Sequence, residues 1–551
     1  MFKVDFKLDN KHWQTIALSN PASISEILTP EVIEEKGIIA YVNNKEYICS
    51  GEILLAVTSV NCITVNSVTG HLIYQDTTIF VLMKAFHRLF PADRKLVVEH
   101  SVGDGVFCEV FDNYVITSRD VAALKREMQN IIEQKLPIVK ITVPSLKAER
   151  IFRLLKRDDV MKNLKYGNSI DIYKCGKFFD YFLRQLAENS SAIKSYDIIY
   201  KSPGLILRFA RRKYKKIIDD FVLPVQLFIT HQEHDKWLNI LNIHNVSALN
   251  RAIRNYTIVD LIQIEEALHE NKIVDIANQI ISNKKIKIVL ISGPSASGKT
   301  TFAKRLSIQL RVNGIFPHVI NMDNYFLPRN RTPKDGNGDL DFENLQAVDT
   351  KLLNKHLQIL LKGQEIEIPK YNFVTGKTES SHRKLRLRES DILLLEGIHG
   401  LNEKLTESIP FNQKLKIYVS ALNNLNIDAH NRIKTSDSRK IRRVVRDHKF
   451  RNHRAEQTLL LWDRVRAGES RNIFPFQENA DLMFNSILTY EIAVLKKYIE
   501  PLLKGISPYS PIYMESRSIL KLFEHIESIE DDIVPNNSIL REFIGGSIFK
   551  Y

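Results

Sequence analysis

The sequence predicts an α/β protein: its C-terminal half forms a parallel sheet with helices on both faces, preceded by a small β-rich module and an α+β domain. Three observations carry that expectation. Short apolar runs ("KIKIVLIS", "HVINMD", "DILLLEG", "LKIYVS" and "ADLMFNS") alternate with helical stretches after residue 284, as strands buried on both faces do. The first run leads directly into "GPSASGKTT" at positions 293–301. The first 67 residues instead alternate apolar and polar side chains and reverse at "DNK".

At 551 residues the chain is long enough for three or four domains, each with its own core. With 44% hydrophobic and 26% charged residues, no segment is poor enough in apolar side chains to require disorder. No apolar stretch approaches bilayer length, and "MFKVDFKLDNKHW" lacks the apolar core of a signal peptide, so a cytoplasmic protein without membrane contact is expected. Cys49, Cys62, Cys108 and Cys175 are scattered without metal-ligand spacing or a disulfide framework. The net charge of +14 suits polyanionic partners such as nucleotides or RNA. Lysine, isoleucine and asparagine are frequent throughout, however, so a general compositional bias explains much of that charge.

The β-rich module spans 1–67. An α+β domain follows over 68–226, with a helix in "TTIFVLMKAFHRLFP" that stops at Pro91 and a hairpin around Gly-Asp-Gly in "KLVVEHSVGDGVFCEV". A second helix, "SRDVAALKREMQNIIEQ", opens with Ser118 as its expected N-cap. Residues 227–283 read as a helical connector, 284–505 as the α/β domain, and 506–551 as a turn, a helix and a tail.

In the glycine loop, Gly293 and Gly298 flank Pro294, Ser295, Ala296 and Ser297, and Lys299, Thr300 and Thr301 open a helix. Small residues let successive N–H groups turn inward, and the helix N-terminus adds partial positive charge, so the loop is built for phosphate oxygens. Lys299 would reach the β- and γ-phosphates, and the Thr300 hydroxyl would hold magnesium. A plain strand-to-helix turn is the bland alternative.

"HVINMDNYF" ends with Asp323 at the strand edge where ligands of such sheets sit, placed to take a proton from an attacking hydroxyl. Capping the next turn would be its structural role. Glu396 terminates the aliphatic run in "DILLLEGIHGL", where a buried carboxylate needs a cation or donors, such as a magnesium-bound water. "DSRKIRRVVRDHKFRNHR" spaces Arg439, Arg442, Arg443, Arg446 and Arg451 along a helix. Such a run is commonly a solvated face; downstream of a phosphate loop it also suits a lid closing over transferring phosphate.

With "GPSASGKTT", "MDNYF", "DFENLQAVD", "IPKYNF", "LEGIHGL" and "DSRKIRRVVRD" in this order, residues from about Lys285 to Leu503 resemble the uridine kinase and phosphoribulokinase family of P-loop kinases. The resemblance implies ATP and Mg2+ as cofactors and a nucleoside as phosphoryl acceptor. It makes Asp323 the general base for the 5′-hydroxyl and places Glu343 at the ribose hydroxyls. It also sets Tyr325, Tyr371 and Phe373 beside the nucleoside, Arg443 at the substrate, and Arg446 and Arg451 in the phosphate-facing lid. Departures occur at Gly376, where pyrimidine nucleoside kinases carry a base-reading histidine, at Asn372 in place of an aspartate, and at His453 in place of a lid arginine.

Residues 1–67 resemble the β-grasp TGS module, and 68 to about 225 resemble the second N-terminal domain of threonyl-tRNA synthetases, through "KAFHRLFP", "EHSVGDGVFCEV", "LKREMQNIIEQKLPI" and "IYKCGKFFDYF". At the positions of the synthetase editing set stand Asp76, Phe80, Phe182 and Leu186, so no inherited deacylase is expected. His100 and Cys175 read as packed or turn residues. The basic stretch "RFARRKYKK", from Arg208 to Lys216, reads as a solvated helix face or an RNA contact.

Taken together, the sequence points to an ATP-dependent nucleoside kinase of uridine/cytidine type with a regulatory or binding N-terminal half. The competing readings are a kinase of another alcohol, such as a sugar phosphate or a pantothenate-like acid, and an RNA-binding protein switched by ATP. Assembly as a homo-oligomer is a further candidate property.

Overall fold

The structure, a computed structural model, describes residues 2–55, 58–111, 114–162, 169–210, 221–336 and 338–550. In the C-terminal half, five strands lie in the order Phe316–Asn321, Asp391–Gly397, Ile288–Ser292, Lys414–Ser420, Leu482–Asn485. All neighbours are parallel. Ser292 pairs with Gly397 and Tyr418, and Asn321 with Glu396, so the strand C-termini share one edge. Both faces are covered, as alternate residues of the central strand show. Val289 and Ile291 join a core with Phe302, Leu306 and Val494, whereas Ile288 and Leu290 join another with Tyr325, Leu353 and Leu357. Period-two side chains of one strand therefore serve two separate cores, which explains the unbroken apolar run.

The N-terminal module is a five-stranded mixed sheet in which Phe2–Leu8 pairs antiparallel with Lys11–Leu18 and parallel with Thr58–Thr64. A 22-residue helix follows, Val68–Leu89, starting well before the apolar run that signals it. Its N-cap is Ser67, whose side chain accepts the Gly70 N–H at 3.0 Å. The hairpin Leu96–Val102 and Gly105–Val110 lies in a four-stranded antiparallel sheet. One expectation needs correction: Thr117, not Ser118, caps the helix Ser118–Glu133. Its hydroxyl accepts the Asp120 N–H, and the Asp120 side chain reaches back to the Thr117 N–H.

The positions 76, 80, 182 and 186 are packed shut. Asp76 is ion-paired to Arg184, Phe80 and Phe182 meet edge to face at 5.9 Å, and Leu186 is buried. Among the described residues no group of three or more His, Cys, Asp or Glu side chains is arranged to hold a metal ion. His100 is buried and stacked on His231 with centroids 3.9 Å apart, and Cys175 is buried with its carbonyl accepting Lys84. Of the basic stretch, Arg208 is buried against Asp104 at 3.0 Å. Residues 211–216 lie outside the described residues.

Three helices, Val225–Leu241, Val246–Arg254 and Ile258–Ser282, precede the parallel sheet, and the second and third bury Leu249, Ile262 and Ile273 in the same core as Val289 and Phe302. Residues 421–434, after the fourth strand in chain order, dock on the N-terminal half. The Val98 N–H donates to the Ala429 carbonyl at 2.8 Å, the Asn426 amide to the Val98 carbonyl at 2.9 Å, and Arg157 bonds Asp428 at 3.1 Å. Among the described residues no helix is long and apolar enough to cross a membrane.

Candidate active site

At the C-terminal edge of the sheet, the chain leaves Ser292 and enters the glycine loop. A Cβ at Gly293 would stand 2.0 Å from the Val419 carbonyl oxygen, so only glycine lets the loop pass the neighbouring strand. Gly298 has φ +81°, a left-handed conformation that turns the chain into the helix Lys299–Val312. The Lys299 ammonium folds back to the Pro294 carbonyl at 3.0 Å. Ser295 is held from three sides. Its N–H donates to Glu469 at 3.1 Å, its carbonyl accepts Arg439 at 3.0 Å, and its hydroxyl accepts Arg443 at 2.8 Å.

The strand before Asp323 ends at Asn321, two residues earlier than the sequence pattern implies. Asp323 lies instead in the single turn Met322–Tyr325, where the Asn321 side chain accepts its N–H at 2.8 Å. Asp323 does not cap that turn, so its carboxyl remains available. Burial raises it above the usual carboxylate range, with Lys299 and Arg451 pulling it back. Two further carboxyls share the field. Burial pushes Glu396 up to about 7, opposed by Lys299 and reinforced by Asp323 and Glu542. Burial likewise takes Glu343 to about 7, with Glu469 adding to the rise and Arg443 and Lys299 opposing it. Glu343 fits beneath Gly468, where any Cβ would come within 2.6 Å of the Glu343 Cβ.

Tyr371 is buried among rings, edge-on to Phe326 at 5.7 Å and Phe373 at 5.0 Å, and its hydroxyl has no hydrogen-bond partner among the described residues. Phe373 is 54% exposed and forms an apolar rim beside it. Tyr325 is buried in the same core as Phe326 and Tyr371, and its hydroxyl meets His356 at 3.1 Å. The basic run divides. Arg439 and Arg442 are fully buried structural residues bound to Glu469 and Glu491. Arg443 reaches the glycine loop, and Arg451 lies in the field of Asp323 with its side chain 53% exposed. Arg446 is engaged by Asp447 at 2.8 Å. Sequence reading missed Glu469 and Glu542, both of which bond the loop. No motif marks either.

Residues 288–493 match the phosphoribulokinase/uridine kinase family. The chain is 30% identical to the uridine kinase of Borrelia duttonii over 230 residues, covering 41% of this chain and 99% of that relative. The chain belongs to this family. The uridine kinase of Deinococcus deserti is also 30% identical, over 31% of this chain and 73% of its own length. Uridine-cytidine kinase B of Dictyostelium discoideum is 28% identical, over 37% and 77% respectively. Among solved structures, the possible uridine kinase of Bacillus stearothermophilus is similar at 21% identity and TM-score 0.27, covering 39% of this chain and 98% of that one.

Membership of a P-loop kinase family implies use of ATP and magnesium, and the residues fit both. The Thr300 hydroxyl faces Glu396 at 3.5 Å and the Asn321 amide faces the same oxygen at 3.4 Å. A hydroxyl and a buried carboxylate are hard oxygen donors of the kind magnesium takes. The raised Glu396 also gives a test of its environment. Its folded-state pKa lies above the unfolded value, so its contribution to stability is present below about 4.5 and lost as pH rises through about 7. Glu396→Gln is therefore expected to stabilise the metal-free protein by on the order of 2–3 kcal/mol at pH 8 and by clearly less at pH 5.5. Thermal unfolding at the two pH values checks this. An equal gain at both would show that the carboxyl is not held protonated.

Proposed function

We propose that this chain phosphorylates the 5′-hydroxyl of a nucleoside with ATP. The observation that carries the reading is that Lys299, Asp323, Glu343 and Glu396 share one electrostatic field at the sheet edge beside the glycine loop. When bound, ATP supplies the transferable phosphoryl group and magnesium offsets its charge. The loop N–H groups and Lys299 hold and orient the phosphates. Asp323 accepts the proton of the attacking hydroxyl, and the Lys299 ammonium and the Arg451 guanidinium favour its ionised form against the effect of burial. Glu343 accepts the ribose hydroxyls, and Tyr371 and Phe373 offer an aromatic wall to the base. Arg443, Arg451 and the engaged Arg446 form the lid side. Positioning and charge stabilisation account for most catalysis of this kind, and both are available from these residues.

A specific observation favours a second acceptor class, another small alcohol. A Cβ at Gly376 would meet the Arg329 side chain at 2.3 Å, so a histidine cannot stand there without displacing Arg329. Asn372 is used in the local turn, accepting the Val374 N–H at 2.9 Å. Neither observation supports pyrimidine reading at these positions. The test is phosphate transfer from labelled ATP to a panel of nucleosides and sugar alcohols, with tRNA as a separate arm. Transfer to uridine or cytidine is the expected result. Transfer only to a non-nucleoside alcohol moves the reading to the second class, and ATP consumption stimulated by tRNA alone sinks both.

For the N-terminal half, we propose a regulatory or binding module related to the TGS and synthetase domains. Its contacts with residues 421–434, directly before the lid helix Thr435–Arg451, give it a mechanical connection to the site.

A further inference from the structure

The C-terminal segment passes against the phosphate loop. Its last helical turn, Arg541–Ile544, places the Glu542 carboxylate against the N-terminus of the loop helix. There it accepts both the Thr301 N–H at 3.1 Å and the Thr301 hydroxyl at 2.7 Å. These donors, at the start of a 14-residue helix directly after the glycine loop, are those an anionic phosphate oxygen would use. Ile539 completes the contact: a Cβ on Gly298 would lie 2.6 Å from its side chain.

The segment is fastened. Ile539, Leu540, Phe543 and Ile544 are buried in the main core. The Arg541 guanidinium donates to the Asp531 and Val534 carbonyls at 2.6 Å each. It is also tied to the lid helix, because Lys449 donates to the Ile544 carbonyl and Arg442 lies over the Phe543 ring at 5.0 Å.

We propose that residues 536–545 are a self-inhibitory cap, in which the Glu542 carboxylate occupies a phosphate position of the loop and competes with bound nucleotide. The proposal rests on the loop binding nucleotide. Two anions cannot share the Thr301 donors, so nucleotide must lift Glu542, and the tail's attachment to Lys449 transmits that displacement to the lid. Any partner that withdraws the tail would then activate the site.

The experiment measures ADP binding by calorimetry in the full chain and in Glu542→Gln, Glu542→Ala and Lys299→Ala. Backbone hydrogen exchange of residues 536–545 is followed with and without saturating ADP. The glutamine variant retains the side chain's shape, so its folding is not at issue. The cap predicts roughly tenfold tighter ADP binding in both Glu542 variants, and tail amides that lose protection when ADP binds. Equal or weaker binding in both variants, or tail amides that gain protection, would overturn it and make the segment part of the nucleotide site. If ADP binding is absent throughout or indifferent to Lys299→Ala, the phosphate-loop reading fails and the cap with it.

Discussion

Asp323→Asn is expected to lower kcat by about 10²–10⁴-fold, the range of a positioned general base, while the protein stays folded. Asparagine keeps the shape and cannot take the proton. The fold should tolerate it, because the Asp323 side chain is already costly where it stands: burial raises it, opposed by Lys299 and Arg451. Replacing a charge held in that setting leaves stability unchanged or improves it. The apparent KM for ATP should move little, since the role proposed for Asp323 is at the acceptor hydroxyl. Steady-state kinetics with a thermal melt on the same preparation checks both halves. Turnover within a few fold of wild type would remove Asp323 from the base role.

Arg442→Ala should destabilise the protein by about 3–5 kcal/mol, the usual result of breaking a buried ion pair from one side. Arg442 is fully buried and donates to Glu491 with two nitrogens, one of them at 2.9 Å, and to the Ser486 carbonyl at 2.7 Å. Its loss leaves Glu491, 3% exposed, without its cation. Arg451→Ala, in the same helix, should change stability by no more than about 0.5 kcal/mol, because its side chain is half exposed. It should instead reduce turnover. Chemical unfolding and kcat on the two variants separate the structural arginine from the one proposed for the lid; a large stability loss in Arg451→Ala would contradict the division.

The division illustrates what a linear reading can reach. Arg439, Arg442, Arg443, Arg446 and Arg451 look alike in the sequence, and a helical period sorts them into faces without saying what covers each face. Glu469 and Glu491, on segments far along the chain, turn Arg439 and Arg442 inward. Tyr325 makes a similar point. The resemblance sets it beside the nucleoside, but a single helical turn sends neighbouring side chains in different directions, and the Tyr325 hydroxyl meets His356. Ser118 lost the cap to Thr117 because helix boundaries depend on a hydrogen bond one residue away.

By itself, the sequence determined the parallel strands, the phosphate loop and the order of the family's motifs. These follow from local rules: apolar period, glycine placement, and a lysine and threonine opening a helix. Only the tertiary structure decided which charges meet. The common field of Lys299, Asp323, Glu343 and Glu396, the burial that takes two of these carboxyls to about 7, and the tail carboxylate on Thr301 join residues far apart in the chain. Their electrostatics depend on separation and dielectric in space, quantities that no spacing along a chain contains.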